Sequence, residues 1–292
     1  MSATDPIREF ARAMADHGLT PPDNIEADGT LHRFRSDGDR YPNAWYVLHL
    51  DGCAAGAFGS WRLGISERWS QSGQRPSAAE RLRIESLIAV SRHRAQVERQ
   101  QKHAQTAEQA REIWAASAPA DASHPYLRSK QVSPTGLRAN GSTLLVPLTD
   151  LNGILHNLQR IYPAGQKRFL AGGRITGLCA LLGKPTPAGS LMICEGWATA
   201  ATLHAIYQAP VLAAMNCGNL CHVAAAARNR WPSAPIIVCG DDDRKTPGNP
   251  GRTYALKAAS QIGGKAVFPD FQPHEIGSDF NDLALLRGQV AA

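Results

Sequence analysis

The spacing of apolar residues changes character along the chain, and each change marks a different kind of segment. Pro6 to Met14 carries apolar residues at helical spacing and predicts a short amphipathic helix. Leu31 to Phe34 and Trp45 to Leu50 alternate instead, beside the turn dipeptides Asp28-Gly29 and Asp51-Gly52, and predict a small meander ending at Ala57 to Arg62. After Pro76, Ser77-Ala-Ala-Glu80 has the form of a capping box. About forty residues without Gly or Pro follow it, rich in Ala, Gln, Glu and Arg, which predicts a long solvated helix, or two. Ala118 to Ser123 breaks that pattern. His124 to Lys130 then predicts a short helix, and Leu144 to Thr149 with Ile154 to Tyr162 a hairpin turning at Asp150 to Gly153.

The remaining residues alternate short apolar runs with helical stretches. Strands are expected at Ser190 to Cys194, Pro210 to Met215, Pro235 to Cys239 and Lys265 to Phe268. Helices are expected at Thr199 to Tyr207, Leu220 to Arg230 and Arg252 to Ile262. Uninterrupted apolar strands between helices indicate an α/β fold, a parallel sheet with helices on its faces, which binds ligands at the carboxyl ends of its strands. The expected organisation is a small α+β module at 1–71, a helical linker at 72–117, a basic α+β subdomain at 118–188 and the α/β domain at 189–292.

Composition excludes several classes without naming one. A chain of 292 residues with 43% hydrophobic and 19% charged residues has ordinary globular character and argues against wholesale disorder. No apolar run approaches the roughly 20 residues of a membrane span, so no membrane partner is expected. The amino terminus lacks the charged-then-apolar layout of a signal peptide. The six cysteines are scattered and form no CxxC; Cys217 and Cys221, with His222 adjacent, have no second pair to complete a zinc site. A cytoplasmic, reduced protein without zinc is the expectation.

Charge is more informative by place than by amount. The net charge is +6, and residues 131–190 alone hold six basic residues and one acidic. Arg160, Lys167, Arg168 and Arg174 supply most of that excess, on or just beyond the second hairpin strand. A basic strip ahead of an acidic cluster has the form of a phosphate track leading to metal ligands. In the first segment Trp45, Tyr46, Phe58, Trp61 and Trp69 interleave with Arg33, Arg35, Arg40, Arg62 and Arg68. That pattern suits a stacking and phosphate-binding face, or the core of a small sheet, and core packing is the plainer expectation.

Two strand ends carry acids, Cys194-Glu195-Gly196 and Gly240-Asp241-Asp242-Asp243. On extended backbone Asp241 and Asp243 point to one side and Asp242 to the other. Carboxylates gathered at neighbouring strand ends repel unless a divalent cation neutralises them, and hard oxygen ligands favour Mg²⁺ or Mn²⁺. Gly196 and Gly240 let backbone approach a phosphate closely. The Gly-Asp-Asp of palm polymerases sits in a tight antiparallel hairpin, whereas here a helix follows, so the palm is rejected.

Met192-Ile-Cys-Glu195-Gly196 and Ile237-Val-Cys-Gly-Asp241-Asp-Asp243, running on to Gly251, resemble the glutamate and aspartate motifs of the Toprim domain shared by DnaG-type primases, topoisomerases and some nucleases. Leu145 to Gly153, Leu158-Gln-Arg160, Gln166-Lys167-Arg168 and the His124 to Lys130 helix resemble the basic subdomain that precedes it in primases, and Ser278-Asp279-Phe-Asn-Asp282 resembles their later acidic element. The likeness spans about residues 124 to 287 and is nearest to primases of phages, plasmids and integrated elements. It implies synthesis of short RNA primers on single-stranded DNA from ribonucleoside triphosphates. Glu195, Asp241 and Asp243 would be catalytic, Asp279 and Asp282 further metal ligands, and Arg160, Lys167, Arg168, Arg174 and Gly196 would bind nucleotide or template. The primase zinc ribbon is missing, as is GxxxxGK[ST], so a separate replicative helicase is the expected partner. The rival readings are a Toprim nuclease using the same acids and a non-catalytic single-strand-binding accessory protein. A topoisomerase would need a further domain to present a tyrosine.

Overall fold

The computed structural model describes residues 5–39, 41–50, 54–71 and 78–289. Arg40, the Asp51-Gly52 turn and the capping box beginning at Ser77 lie outside the described residues. The chain divides into two compact units, Met1–Glu98 and Arg99–Ala292.

The first unit is a helix on one face of an antiparallel sheet. Helix α1 (Pro6–Asp16) starts where the Asp5 carboxylate accepts a hydrogen bond from the Ile7 amide at 3.1 Å. Strands β1 (His32–Phe34), β2 (Ala44–His49), β3 (Ala55–Ser60) and β4 (Ile65–Ser70) pair in that order. Along β2 the residues alternate, with Ala44, Tyr46 and Leu48 buried and Trp45, Val47 and His49 half-buried on the other side. Phe10 of α1 is fully buried and meets Tyr46, Phe58 and Trp69 edge-on, with ring centroids 5.2 to 6.1 Å apart. Such pairs add about 0.5–1.5 kcal/mol each beyond area burial. Strand β4 was not expected, because Glu67 occupies one of its inward positions and interrupts the apolar alternation.

Helix α2 (Ala78–Ala115) is continuous over 38 residues. Its carboxyl-terminal turns belong to the second unit, where Ala110 is buried under Leu145, Leu158 and Leu170. The Arg138 guanidinium lies 5.0 Å from the Trp114 ring centroid and donates to the Trp114 carbonyl at 2.6 Å. The antiparallel sheet beneath runs in the order β5 (Ala118–Pro119), β6 (Arg138–Asn140), β7 (Thr143–Thr149), β8 (Leu155–Ile161) and β9 (Lys167–Phe169). Between β5 and β6, helix α3 (Pro125–Lys130) buries Tyr126 and Leu127. The β7–β8 turn is the one expected: Asp150 Oδ1 accepts from the amides of Asn152 and Ile154, each at 3.0 Å.

The third sheet orders β10 (Ala180–Leu182), β12 (Val211–Ala213), β11 (Leu191–Cys194), β13 (Ile236–Cys239) and β14 (Lys265–Val267). It is parallel except for β10, an antiparallel edge strand too short to be read from sequence. Helices α4 (Trp197–Tyr207), α5 (Leu220–Arg230) and α6 (Pro250–Gln261) connect the parallel strands, and α7 (Phe280–Leu286) follows β14. Alternate residues of each strand enter opposite cores, as two covered faces require. Leu191 and Ile193 pack with Val223, Ala227 and Ala258 on the α5–α6 side. Met192 and Cys194 pack on the other side with Trp197 and Ala200 of α4 and with Val146 and Ile161 of the antiparallel sheet. A bridge between Thr149 and Cys179, with reciprocal amide–carbonyl bonds of 2.9 and 3.0 Å, ties the two sheets together. Among the described residues no helix is long and apolar enough to cross a membrane.

Candidate active site

Strand β11 is central, with β12 on one side and β13 on the other, so the chain reverses its direction of travel across the sheet there. At such a switch point the connections diverge and leave an opening at the carboxyl ends of the strands. Glu195 leaves β11 and Asp241 leaves β13 at that edge, since Cys194 and Cys239 are register partners. Gly240 is required here, because a Cβ would lie 2.4 Å from the Ala255 methyl and 2.7 Å from the Phe268 ring. Gly196 has φ −97°, and a Cβ there would meet only Thr199 Oγ1, at an ordinary contact distance of 3.6 Å, so its backbone does not require glycine.

The Asp241–Asp243 run divides as alternation predicts. Asp242 turns aside to accept from Asn249 Nδ2 at 2.8 Å and faces Arg244 and Arg252 at 3.6 and 3.8 Å. Asp243 Oδ2 accepts from the Gly251 amide at 3.0 Å. Asn249, at φ +39°, organises this loop: its Oδ1 accepts from the amides of Asp243 at 2.9 Å and Arg252 at 3.2 Å, closing the loop and capping α6. Asp279 caps α7 by accepting from the Asp282 amide at 2.8 Å. Asp282 accepts from Lys130 Nζ at 3.0 Å and from the Ser278 amide at 3.2 Å.

Glu195 and Asp241 are left with less. Glu195 Oε1 and Asp241 Oδ1 are buried without a hydrogen-bond partner. Burial pushes the Glu195 carboxyl up to about 7, with the charges of Asp243 and Asp279 adding to the effect. Burial likewise pushes Asp241 up to about 8, helped by Glu195, Asp279, Asp243 and Asp282. The acids therefore share one electrostatic neighbourhood, yet among the described residues no three of them bring an oxygen each within 4.8 Å of one another. The trio that does, Glu26, Asp28 and His32, lies in the first unit, where His32 Nε2 already holds Asp28 Oδ1 at 2.8 Å.

Orphaned, buried, mutually repelling carboxylates fit a hard divalent cation, since a positive charge would remove both the repulsion and the missing partners. Glu195 and Asp241 are the residues in need of it. Asp243 and Asp279 stand beside them with one oxygen each already engaged.

The basic residues separate. Lys167 stands near Asp279 and Asp241, with its ammonium 5.6 Å from the Tyr126 ring centroid. Desolvation, and next the charge of Lys130, lower its pKa against the pull of those acids, although the residue keeps solvent-exposed surface. Burial acts to lower Lys130 as well, but Asp279 and Asp282 outweigh it and leave the pKa raised. Arg160 and Arg168 are direct partners across the β8–β9 ladder, so they share a face, and Lys167, opposite Ile161, takes the other. Arg174 lies by His103 of α2, whose pKa its charge helps to lower after burial. The structure thus gathers Glu195, Asp241, Asp243, Asp279, Asp282 and Lys167, and places Arg160, Arg168 and Arg174 elsewhere.

Lys130, Tyr126 and Asn281 join the site without having been assigned roles from sequence. Asn281 is fully buried, and its Nδ2 donates to the Lys130 carbonyl at 2.8 Å and to Thr202 Oγ1 at 2.9 Å, fixing α7 against α3 and α4. The signals available were the His124 to Lys130 segment and, for Asn281, its place inside the Ser278 to Asp282 element.

Packing against the acids themselves is tight at Gly251. A Cβ there would lie 2.8 Å from the Asp241 carbonyl oxygen and 2.9 Å from Asp243 Oδ2. Gly251→Ala is expected to lower activity at least tenfold by displacing the acidic loop, at a stability cost of about 1–3 kcal/mol. Activity within twofold of the parent would show that the loop absorbs the methyl.

Residues 190–289 match the Toprim domain. Two relatives from Escherichia coli, each named DNA primase TraC, are 35% and 33% identical over 288 and 294 residues. Each alignment covers 94% of this chain, which spans 27% and 20% of the relatives' length. The primase fragment of the bacteriophage T7 primase-helicase protein aligns with 56% of this chain and 70% of its own length, at 19% identity and a TM-score of 0.43. Residues 190–289 are thus similar to the Toprim domain, and the chain as a whole resembles one stretch of the TraC primases.

Proposed function

We propose that the chain is the catalytic portion of a DNA primase, joining ribonucleoside triphosphates into short RNA primers on single-stranded DNA. The observation that carries the reading is the pair of buried, partnerless carboxylate oxygens of Glu195 and Asp241 at adjacent parallel strand ends, with Lys167 facing them. A bound Mg²⁺ or Mn²⁺ would supply Lewis-acid stabilisation of the reacting phosphate there, held by Glu195 and Asp241 with Asp243 and Asp279 or Asp282 at its side. Lys167 attracts the triphosphate, and the Lys130–Asp282 pair holds α7 so that Asp279 faces the strand ends. Glu195, with an oxygen free of protein partners, takes the proton of the attacking 3′-hydroxyl or ligates the cation; the pH–rate profile of Glu195→Gln separates the two roles. The likeness to TraC supports single-stranded DNA and nucleoside triphosphates as ligands, and a separate replicative helicase remains the proposed partner.

The test is incubation of the purified chain with single-stranded DNA, labelled ribonucleotides and Mg²⁺ or Mn²⁺, beside Asp241→Ala and Asp243→Ala controls. New labelled oligonucleotides that the controls fail to make are expected. Shortened DNA in place of new oligonucleotides would assign the acids to a nuclease, and binding with neither product would assign an accessory role.

Lys167→Ala should lower primer synthesis by about tenfold or more with the melting temperature unchanged, because the ammonium faces the acids and serves no hydrophobic core. Unchanged synthesis would remove Lys167 from the site. Arg160→Ala serves as the comparison and is expected to have the smaller effect, since it occupies the other face of the sheet.

A further inference from the structure

The sheet of the first unit has one face covered by α1 and one face open, and the open face has an unusual composition. Counting outward positions by strand alternation, Arg33, Trp45 and Arg68 lie on it, with Ala57 and Gly59 as a flat floor between Trp45 and Arg68. The Trp45 indole rests on that floor: a Cβ at Gly59 would lie 2.9 Å from its ring. Trp61, just past β3, is 52% exposed, with its ring centroid 6.2 Å from that of Trp45 and 4.7 Å from the Arg33 guanidinium carbon. The four strands contain a single acid, Glu67, which is paired with Phe58 and so projects from the helix-covered face. Neither Arg33 nor Arg68 is paired with a carboxylate among the described residues. An apolar partner would want aliphatic surface here, and what the face offers is indole and guanidinium on a floor of small residues, without negative charge.

We propose that this open face is a binding platform for single-stranded DNA, with bases stacked on Trp61 and Trp45 and backbone phosphates held by Arg33 and Arg68. Every base has a π-face, so indole stacking tolerates any sequence, and arginine contacts along the same surface follow the backbone. Arg68 on β4 lies two strand spacings across from Trp45 on β2 and two residues along, about 12 Å away, so one extended single strand can touch both. The proposal rests on the single-stranded DNA substrate proposed above, but its readout is binding and needs no synthesis.

The experiment uses the full chain and a fluorescein-labelled oligodeoxythymidylate of about 15 nucleotides, followed by anisotropy across a salt series. Trp61→Ala is expected to weaken binding about tenfold, Trp61→Phe to stay within about twofold of the parent, and Arg68→Ala to shallow the salt slope by about one. Because Trp61 is exposed, circular dichroism and melting temperature should not move. Binding by Trp61→Ala and Arg68→Ala within twofold of the parent, at unchanged slope, would overturn the platform. Primer synthesis by the parent with that negative result would leave the proposed function standing and sink the platform alone; lost binding by the variants in a parent that makes no primers would do the reverse.

Discussion

Asp241→Asn should abolish primer synthesis, by a factor of about 100 or more, and at the same time stabilise the metal-free protein. Both results follow from the same atoms. The Asp241 carboxyl is buried among Glu195, Asp243, Asp279 and Asp282, and one of its oxygens finds no donor. Its pKa near 8 when folded, against 3.8 as the ordinary value, means that the folded chain binds a proton there more tightly than the unfolded chain. Between those values folding takes up a proton, so stability falls as pH rises from about 4 to about 8. Glu195, at about 7, contributes in the same direction over the narrower interval above 4.5. The metal-free parent should therefore melt at lower temperature at pH 8 than at pH 5.5, with Mg²⁺ restoring the loss by binding the folded form. Asp241→Asn removes a charge and flattens this dependence. Thermal denaturation in chelator at the two pH values checks the idea, and a parent whose melting temperature holds steady across that range would refute it.

The second large effect lies away from the acids. Asn219→Ala should destabilise the protein by about 3 kcal/mol, a fall in melting temperature of about 8 °C for a unit of this size. Asn219 is 3% exposed and makes a four-way junction. Its Nδ2 donates to the carbonyls of Ala214, Leu178 and Ile175 at 2.8, 2.9 and 3.2 Å, and its Oδ1 accepts from the Gly177 amide at 2.8 Å. Alanine would take the side-chain partner from the Ala214 and Leu178 carbonyls and the Gly177 amide, while the Ile175 carbonyl keeps the Leu178 amide at 2.9 Å; an unsatisfied buried group costs about 1–3 kcal/mol. The junction also bears on the chemistry. Ala214 directly follows β12, and the next residue, Met215, held at φ +72°, donates its amide to the Glu195 carbonyl at 2.6 Å. Loosening Asn219 therefore loosens the backbone of Glu195, and activity should drop at temperatures where Asn219→Ala is still folded. A melting temperature within 2 °C of the parent would show that water replaces the side chain.

Where the physics was local, the sequence was enough. Leu220 to Arg230 forms the helix expected of it, and the acids stand at the ends of the apolar strands that carry them. Asp242 turns away from Asp241 because neighbouring residues on extended backbone must diverge. The aromatics of the first unit obey the same parity: Tyr46 enters the core and Trp45 does not, a division readable from the alternation of β2 alone, and Phe58 follows as the partner of Tyr46 across β3. Parity also separates Lys167 from Arg160 and Arg168, once the β8–β9 register is known. That register depends on where the intervening turn closes, which composition does not specify. The roles of Tyr126, Lys130 and Asn281 were not legible, because they arise from contacts between residues about 150 positions apart, as in the Lys130–Asp282 pair. Strand β10 escaped notice for the same reason, since three residues become a strand only because Val211 to Ala213 is there to pair with them.

The Lys130–Asp282 and Asn281–Lys130 contacts bear on how this catalytic unit can be inherited or transplanted. A fragment beginning near residue 189 would retain every acid of the site, yet it would lose Lys130, Tyr126 and Lys167, and α7 would lose its anchor on α3. Exchange between genes at that point would join acids from one parent to basic residues from another, and the two halves would have to agree on the Asn281–Lys130 bond before Asp279 could face the strand ends. The heritable module is accordingly the stretch from the start of α3 to the end of α7, and recombinants broken inside it should be recovered inactive far more often than those broken on either side.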